Sequence, residues 1–275
     1  MSVSKNIGIA TLFSLFLFFS PALSARDIIS VQGSTTVLPV MQILVESYMD
    51  RHPEVSISIS GGGSGAGLTS LFDGVIDIAM SSREMKPEEK TGVQERGIEI
   101  GELVLAYDAI AVVVNPQNPL EDVSLETLRK LYTGEIRSWQ ELDWKDLPVL
   151  PISRDFASGT FEVFNQIVLQ KQDFRPDVLM LVSNLMILNE VSISPDTIGY
   201  IGLGYVNDQV KVLRIDGVAP HRENIRSGTY PLKRPLYLYY AQPLDPDVQR
   251  FLGFIHSDEG QSIINGEGLM GTGDY

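Results

Sequence analysis

One local pattern occurs three times near the start of the chain: a short apolar strand, then a loop rich in glycine and hydroxyl residues, then the start of a helix. The strands are predicted at 28–31, 55–59 and 76–80, and apolar positions at helical spacing follow the first of them. Strands that alternate with helices favour a parallel α/β sheet. In such sheets ligands bind beyond the carboxyl ends of the strands, where these loops lie.

The remainder of the 275 residues continues in the same way, and this length suits one large domain or two of medium size. Helices are predicted at 124–132, after residue 160 and around 248–255. Further strands are predicted at 109–114, 149–152, 198–201, 210–215 and 235–240. The sequence has no internal repeat and no Pro/Gly/Ser linker. We therefore expect two lobes joined by strands that cross between them.

Residues 1–25 have the features of a secretory signal peptide. Lys5 is the only charged residue among them, an apolar run covers 7–19, and small residues surround Ser24 and Ala25. The alternative is a membrane anchor, but the run is shorter than the roughly 20 residues that a spanning helix needs. The chain contains no cysteine, so no lipid can be attached at the cleavage site. We expect a freely soluble, periplasmic protein that is not a lipoprotein.

The formal net charge is −14, and removal of Lys5 with the signal peptide makes it more negative. A field of this sign argues against nucleic acid and anionic lipid as partners. It is also unfavourable for an anionic ligand at long range. Any anion site must therefore be local and built from short-range hydrogen-bond donors.

Such donors are present in the loops that precede helices. A helix N-terminus carries unsatisfied N–H groups and a partial positive charge, so it attracts anions. Hydroxyl side chains add donors, and glycine lets a ligand approach the backbone. The alternative is that these side chains only cap their helices. The candidate residues in these loops are Ser34, Thr35, Thr36, Ser64, Ser158, Gly159 and Thr160.

Arg154 strengthens the hypothesis of an oxyanion site. It lies at the end of a predicted strand, four residues before Ser158, and a guanidinium group binds tetrahedral oxyanions in a bidentate manner. A surface ion pair is the alternative interpretation. Arg83 follows two serines in a similar setting, and there we favour the ion pair.

Other kinds of chemistry lack their motifs. The glycine stretch 61–67 does not end in the Gly-Lys-Ser/Thr of a nucleotide P-loop, and no complete G-x-S-x-G motif occurs. The three histidines are scattered and there is no cysteine, so a metal site and a cofactor are not expected. Donors without a nucleophile or a metal indicate binding rather than turnover.

These features together resemble one family, the periplasmic phosphate-binding proteins that serve ABC-type phosphate importers. The resemblance covers nearly the whole mature chain and rests on several motifs in the same order. They are Gly33-Ser34-Thr35-Thr36, the glycine stretch 61–67, and the segments 77–84, 107–108, 133–136 with Trp139, 153–160, 198–200, 230–231 and 234–235.

The resemblance implies a type II periplasmic-binding-protein fold, in which each α/β lobe is a sheet flanked by helices and the ligand lies in the cleft between them. Lobe I would comprise 26–110 and 236–275, and lobe II would comprise 111–235. The hinge strands would lie near 108–112 and 234–238. The resemblance also implies a monomeric receptor without enzymatic activity that passes inorganic phosphate to the permease subunits of an importer.

The resemblance adds Ser82 to the expected phosphate ligands, and here the sequence departs from part of the family. Some members carry an aspartate at this position, which accepts the proton of hydrogen phosphate and so rejects sulfate. Serine can donate or accept, so it discriminates less, and Glu84 or Asp155 would have to supply an acceptor. Sulfate, molybdate, tungstate and arsenate remain alternative ligands. A phosphatase, or a sensing or adhesive protein on the same fold, are the alternative functions.

Overall fold

The computed structural model describes residues 28–274, so the predicted signal peptide lies outside the described residues. The strands in chain order are β1 Ile28–Gly33, β2 Ser56–Ser60, β3 Ile78–Ser81, β4 Ile100–Val114, β5 Asp122–Val123, β6 Leu150–Arg154, β7 Leu179–Leu181, β8 Thr197–Gly202, β9 Lys211–Val212, β10 Arg214–Ile215, β11 Lys233–Ala241 and β12 Met270–Gly271. The helices are α1 Leu38–Arg51, α2 Ser64–Phe72, α3 Pro87–Glu95, α4 Leu125–Thr133, α5 Gly159–Phe164, α6 Asn184–Ile193, α7 Arg222–Ser227, α8 Pro246–His256 and α9 Asp258–Gly266.

The three predicted strand–loop–helix units at the start of the chain are confirmed. β1 lies between β2 and β3 and is parallel to both. Its alternate residues Ile29 and Val31 are buried, as expected for a strand with one face on a core. Because all three strands run in the same direction, the loops that follow them lie at one edge of the sheet.

Two long antiparallel strands connect the halves of the molecule. β4 and β11 pair along their length, with a register shift between Leu236 and Tyr237. The sheet order is β2-β1-β3-β11-β4-β8-β6-β7, so these two strands lie at its centre. The predicted strand 109–114 is only the last part of β4, which begins at Ile100. The earlier part contains Glu102 and Asp108, and these interrupt the apolar run that the sequence analysis used.

The second half of the sheet is built on β4, β8, β6 and β7. β8 pairs antiparallel with β4 and parallel with β6. The predicted single strand 210–215 is wrong: its first residues, β9, pair with β4, whereas β10 pairs with β5 in a separate two-stranded sheet. The chain changes its pairing partner at the buried Leu213, and no sequence pattern marks such a change.

Buried hydrophobic residues among 28–274 form four core clusters, and the two largest pack against different parts of β4. One core contains Met41, Leu44 and Phe251, from α1 and α8. Another contains Tyr132, Trp139, Phe164 and Tyr200, and in it the rings of Phe164 and Tyr200 stack with centroids 3.8 Å apart.

Separate cores on different parts of β4 agree with the two-lobed fold, although the boundaries at 110/111 and 235/236 remain a prediction. Across residues 28–274, no helix is long and apolar enough to cross a membrane.

Candidate functional site

The first loop of the site follows β1. Gly33 has a φ of +144°, and a Cβ there would lie 2.2 Å from the Met80 carbonyl oxygen, so only glycine fits. The next residue, Ser34, donates its backbone N–H to the same carbonyl oxygen over 2.8 Å. The Ser34 hydroxyl accepts a bond from the Thr36 N–H (3.2 Å) and so stabilises its own loop. Thr35 and Thr36 are thereby placed at the end of β1, and both are buried.

The second and third loops bring two serines together. Ser64 begins α2, and its hydroxyl accepts a hydrogen bond from the Ser82 N–H over 3.1 Å. The two hydroxyl oxygens are 3.3 Å apart, and either group can be the donor. Both side chains are buried, with exposures of 0% and 1%. The Ser64 side chain makes no capping bond to α2, so the capping interpretation does not explain this residue.

The fourth loop comes from the other half of the molecule and closes over the first three. The Gly65 N–H donates to the Ala157 carbonyl over 2.9 Å. A Cβ on Gly159 would lie 2.5 Å from Ser64 Oγ and 2.7 Å from Ser82 Oγ. Glycine is therefore required here by the close approach of the two lobes. The Ser158 hydroxyl accepts from the Phe161 N–H, so for this side chain the capping interpretation is confirmed.

Thr36 and Thr160 also meet across the lobes, with their hydroxyl oxygens 3.2 Å apart. Arg234, on β11, connects them: its Nη1 donates to Thr160 Oγ1 over 2.8 Å and its Nη2 to Thr36 Oγ1 over 3.2 Å. Arg234 was expected within a family motif and a hinge strand but not among the ligand-binding residues.

The carboxylate of Asp108, on β4, forms an ion pair with the Arg234 guanidinium. One carboxylate oxygen accepts from Arg234 Nε and Nη2 at 3.1 and 2.8 Å, and the other accepts from the Leu203 N–H at 3.2 Å. Complete burial raises the pKa of the Asp108 carboxyl, and the adjacent Arg234 charge opposes that shift. The ion pair links β4 to β11 next to the hydroxyls of Thr36 and Thr160.

Asn184, at the start of α6, is a second residue that the sequence analysis missed. Its Nδ2 donates to Thr36 Oγ1 (3.1 Å) and Thr35 Oγ1 (3.3 Å), and its Oδ1 accepts from the Gly202 N–H (3.2 Å). A single buried asparagine in a helical segment carries no motif, so no signal in the sequence could have identified it.

Arg154 ends β6 and is 1% exposed. Its Nε donates to the Leu181 carbonyl (3.2 Å) and its Nη2 to the Val182 carbonyl (2.9 Å). Those two bonds use two of the five N–H donors of the guanidinium group and leave three. Burial lowers the pKa of Arg154, the Asp155 charge opposes that shift, and the net pKa remains lowered, so the guanidinium would gain from a further anionic partner. Among residues 28–274, no acidic side chain forms the surface ion pair that was considered for Arg154.

Arg83 does form the ion pair that the sequence predicts, but it is buried rather than on the surface. Its Nη1 and Nη2 donate to both oxygens of Glu89 at 2.8 and 2.7 Å. Burial raises the pKa of Glu89, and hydrogen bonds from Arg83 and the Lys86 N–H outweigh that effect, so the net pKa is lowered. A second ion pair, between Lys86 and Glu162, joins the two lobes beside a cavity of about 400 Å³.

The two carboxylates considered as proton acceptors lie elsewhere. Glu84 is exposed and accepts from the Tyr237 hydroxyl over 3.3 Å, whereas Asp155 accepts from the Ala157 N–H over 2.9 Å. In the described part of the chain, neither forms a hydrogen bond with Ser64 or Ser82. Within 28–274, no group of His, Asp and Glu residues could hold a metal ion. Buried hydroxyl groups from both halves of the molecule therefore meet beside the Arg234 guanidinium, and groups of these kinds can donate hydrogen bonds to an oxyanion.

Two α/β lobes that close around a buried set of donors define a two-lobed ligand-binding receptor. The family model for the PBP superfamily domain matches residues 20–259. The phosphate-binding protein PstS of Borreliella burgdorferi is 31% identical over 258 residues, which cover 90% of each chain.

Solved structures are also similar. A candidate phosphate ABC transporter substrate-binding protein from Clostridium perfringens, solved with bound phosphate, superposes with a TM-score of 0.85 at 34% identity and covers 90% of this chain and 100% of its own. An ABC-type phosphate transport receptor from Vibrio cholerae has a TM-score of 0.73 at 31% identity over 88% and 99%. The chain belongs to the PBP superfamily and, within it, to the PstS family of phosphate-binding proteins.

Proposed function

We propose that the protein captures inorganic phosphate between its two lobes and delivers it to the permease subunits of an ABC importer. The proposed ligand-binding residues are Ser34, Thr35, Thr36, Ser64, Ser82, Arg154, Ser158, Gly159 and Thr160. The named relatives support phosphate as the ligand, since they are phosphate-binding proteins and one was solved with phosphate bound. The protein would act without turnover, as a monomer.

The observation that carries this proposal is the contact between hydroxyl groups of opposite lobes beside the buried guanidinium of Arg234. Thr36 meets Thr160, and Gly159 lies against Ser64 and Ser82. Hydroxyl and N–H donors bind an anion at short range, which suits a chain with a net charge of −14. Arg154 would supply the positive charge of the site through the N–H groups that the backbone carbonyls do not occupy.

Ligand capture would proceed by hinge closure. The lobes would rotate about β4 and β11, near residues 108–112 and 234–238. An anion held by donors of both lobes binds the closed state better than the open one and shifts the population toward closure. The importer would then recognise the closed form. Residues 1–25 would direct export to the periplasm, and without a cysteine the mature protein would not be lipid-anchored.

A general oxyanion receptor is the second candidate, and Ser82 favours it. A carboxylate at this position would repel a fully ionised anion, whereas a serine hydroxyl can donate to sulfate and accept from hydrogen phosphate. The two nearby acids do not reach the Ser64–Ser82 pair. Discrimination against sulfate would then depend on these two serine hydroxyls.

Isothermal titration of the mature, anion-free protein with phosphate and then with sulfate tests both candidates. We expect one phosphate per chain. Absence of heat with sulfate supports the phosphate receptor, and equal affinities support the general oxyanion receptor. Absence of binding with either anion contradicts transport and favours a sensing or adhesive role. Hydrolysis of a chromogenic phosphate ester by the protein would contradict the proposal of a receptor without turnover.

A further inference from the structure

Donors of the protein itself fill both acceptor positions of the Thr36 hydroxyl and one acceptor position of the Thr160 hydroxyl. A hydroxyl group has one donor and two acceptor positions. Thr36 Oγ1 accepts from Arg234 Nη2 at 3.2 Å and from Asn184 Nδ2 at 3.1 Å. The Gly202 N–H donates to Asn184 Oδ1, which orients the amide so that Nδ2 faces the threonines. The hydroxyl hydrogen of Thr36 is therefore left to donate.

Thr160 is constrained in the same way. Its Oγ1 accepts from Arg234 Nη1 at 2.8 Å and lies 3.2 Å from Thr36 Oγ1. When Thr36 donates to Thr160, both acceptor positions of Thr160 are filled and its own hydrogen must leave the pair. Because both acceptor positions of Thr36 are already filled, the bond between the threonines runs from Thr36 to Thr160, and the Thr160 hydrogen points out of the pair as a donor.

Arg234 orients the two threonine hydroxyls without adding net charge to the site. Its side chain is 2% exposed and that of Asp108 is 0% exposed, and Asp108 takes up Nε and part of Nη2. The two residues form a neutral pair, and within residues 28–274 the other side-chain hydrogen bonds of Arg234 go to the two threonines. Arg234 sits on β11 and Asp108 on β4, so the pair is fixed to the strands that join the lobes.

We propose that Arg234 and Asn184 are positioning residues that direct the Thr36 hydroxyl to Thr160, so that Thr160 donates toward the bound oxyanion. This inference rests on the proposed function. It deepens it by assigning how the site senses the protonation of the anion: with the Thr36 hydrogen donated to Thr160, neither threonine has an acceptor position left for the proton of hydrogen phosphate. The Ser64–Ser82 pair would accept the hydrogen bond from that proton, because either serine hydroxyl is able to accept.

Double-mutant cycles on phosphate affinity, measured by titration, test the positioning role. Arg234→Lys keeps the charge but loses the fork that reaches both threonines. We expect it to weaken phosphate binding about tenfold, a change of about 1.4 kcal/mol. In a Thr160→Val background, which lacks the hydroxyl that Arg234 orients, the same substitution should cost about threefold or less. In a Ser64→Ala background, which Arg234 does not contact, it should still cost about tenfold.

A substitution that only loosened the fold would weaken binding equally in all three backgrounds, and that additive result would overturn the positioning role of Arg234. Thermal unfolding of each variant establishes that it is folded. If Arg234→Lys does not fold, Asn184→Ala replaces it and is measured with and without Thr36→Val, where the effects should again be non-additive. An additive cycle there overturns the inference. A wild-type protein that binds no phosphate would instead overturn the proposed function itself.

Discussion

Replacement of Gly159 by alanine would place a methyl group between the two lobes. Its carbon would lie 2.5 Å from Ser64 Oγ, 2.7 Å from Ser82 Oγ and 3.1 Å from Arg83 Cγ. Ordinary contacts of this kind begin at 3.4 Å, so the facing groups would have to separate by about 0.9 Å. The two serines are buried and bonded to each other, and they cannot both move aside without losing that bond.

The cost of this substitution follows from the packing of the closed state. Overfilled sites typically lose about 1–3 kcal/mol. The crowding exists only where the lobes meet, so the open state should not be affected. If the whole cost falls on the closed, ligand-bound state, phosphate affinity drops by about 5- to 150-fold, since about 1.4 kcal/mol is a factor of ten.

Titration calorimetry with phosphate measures this effect, and Gly65→Ala is the matched control. Gly65 also faces the other lobe, but a Cβ there would lie 3.5 Å from the Ala157 carbonyl oxygen, an ordinary contact. We expect Gly65→Ala to bind phosphate within about threefold of wild type, because a contact at ordinary distance requires no movement. Wild-type affinity in Gly159→Ala would refute the claim that the lobes approach this closely around the ligand.

Two further predictions concern charge. Arg154→Ala should weaken phosphate binding far more than Ser34→Ala, because it removes the positive charge of the site whereas the Ser34 hydroxyl bonds mainly within its own loop; calorimetric affinities that are nearly equal for Arg154→Ala and wild type would contradict that role. The pKa of Glu89 is lower in the folded protein than its ordinary value of 4.5, so its stabilising contribution is present above that pH and is lost as the pH falls through the folded-state value. Glu89→Gln should therefore lower the free energy of unfolding by about 1–3 kcal/mol near pH 7. In thermal unfolding this difference should shrink below about pH 4, and a loss that is the same at both pH values would contradict the ion-pair explanation.

Local patterns in the sequence were sufficient to predict the first three strands and the hydroxyl loops. Short apolar runs place β1 and β3, the alternation at 55–59 places β2, and the resulting parallel arrangement brings the loops to one edge. Helix α4 was also predictable at both ends: Ser124 caps it through a bond to the Thr127 N–H, and Gly134 ends it with a φ of 88°. Such signals lie within a few residues of the structure that they specify.

The pairing of distant residues could not be predicted in the same way. Arg234 and Asp108 are separated by 126 positions and meet only because β4 and β11 cross between the lobes. Motifs at 107–108 and 234–235 were visible in the sequence, but nothing in them states that the two side chains form an ion pair. Asn184 acts through a contact 148 residues away, at Thr36. The residues that position the site are therefore set by tertiary packing.

The crystal structure of the mature protein grown with phosphate is the most direct test of the central claim, that both lobes enclose the anion through their hydroxyl loops. We expect one phosphate ion between the lobes, with its oxygens within hydrogen-bond distance of Thr36 and Ser64 on one side and of Thr160 and Arg154 on the other. A phosphate bound outside this cleft, or held by one lobe alone, would contradict the account.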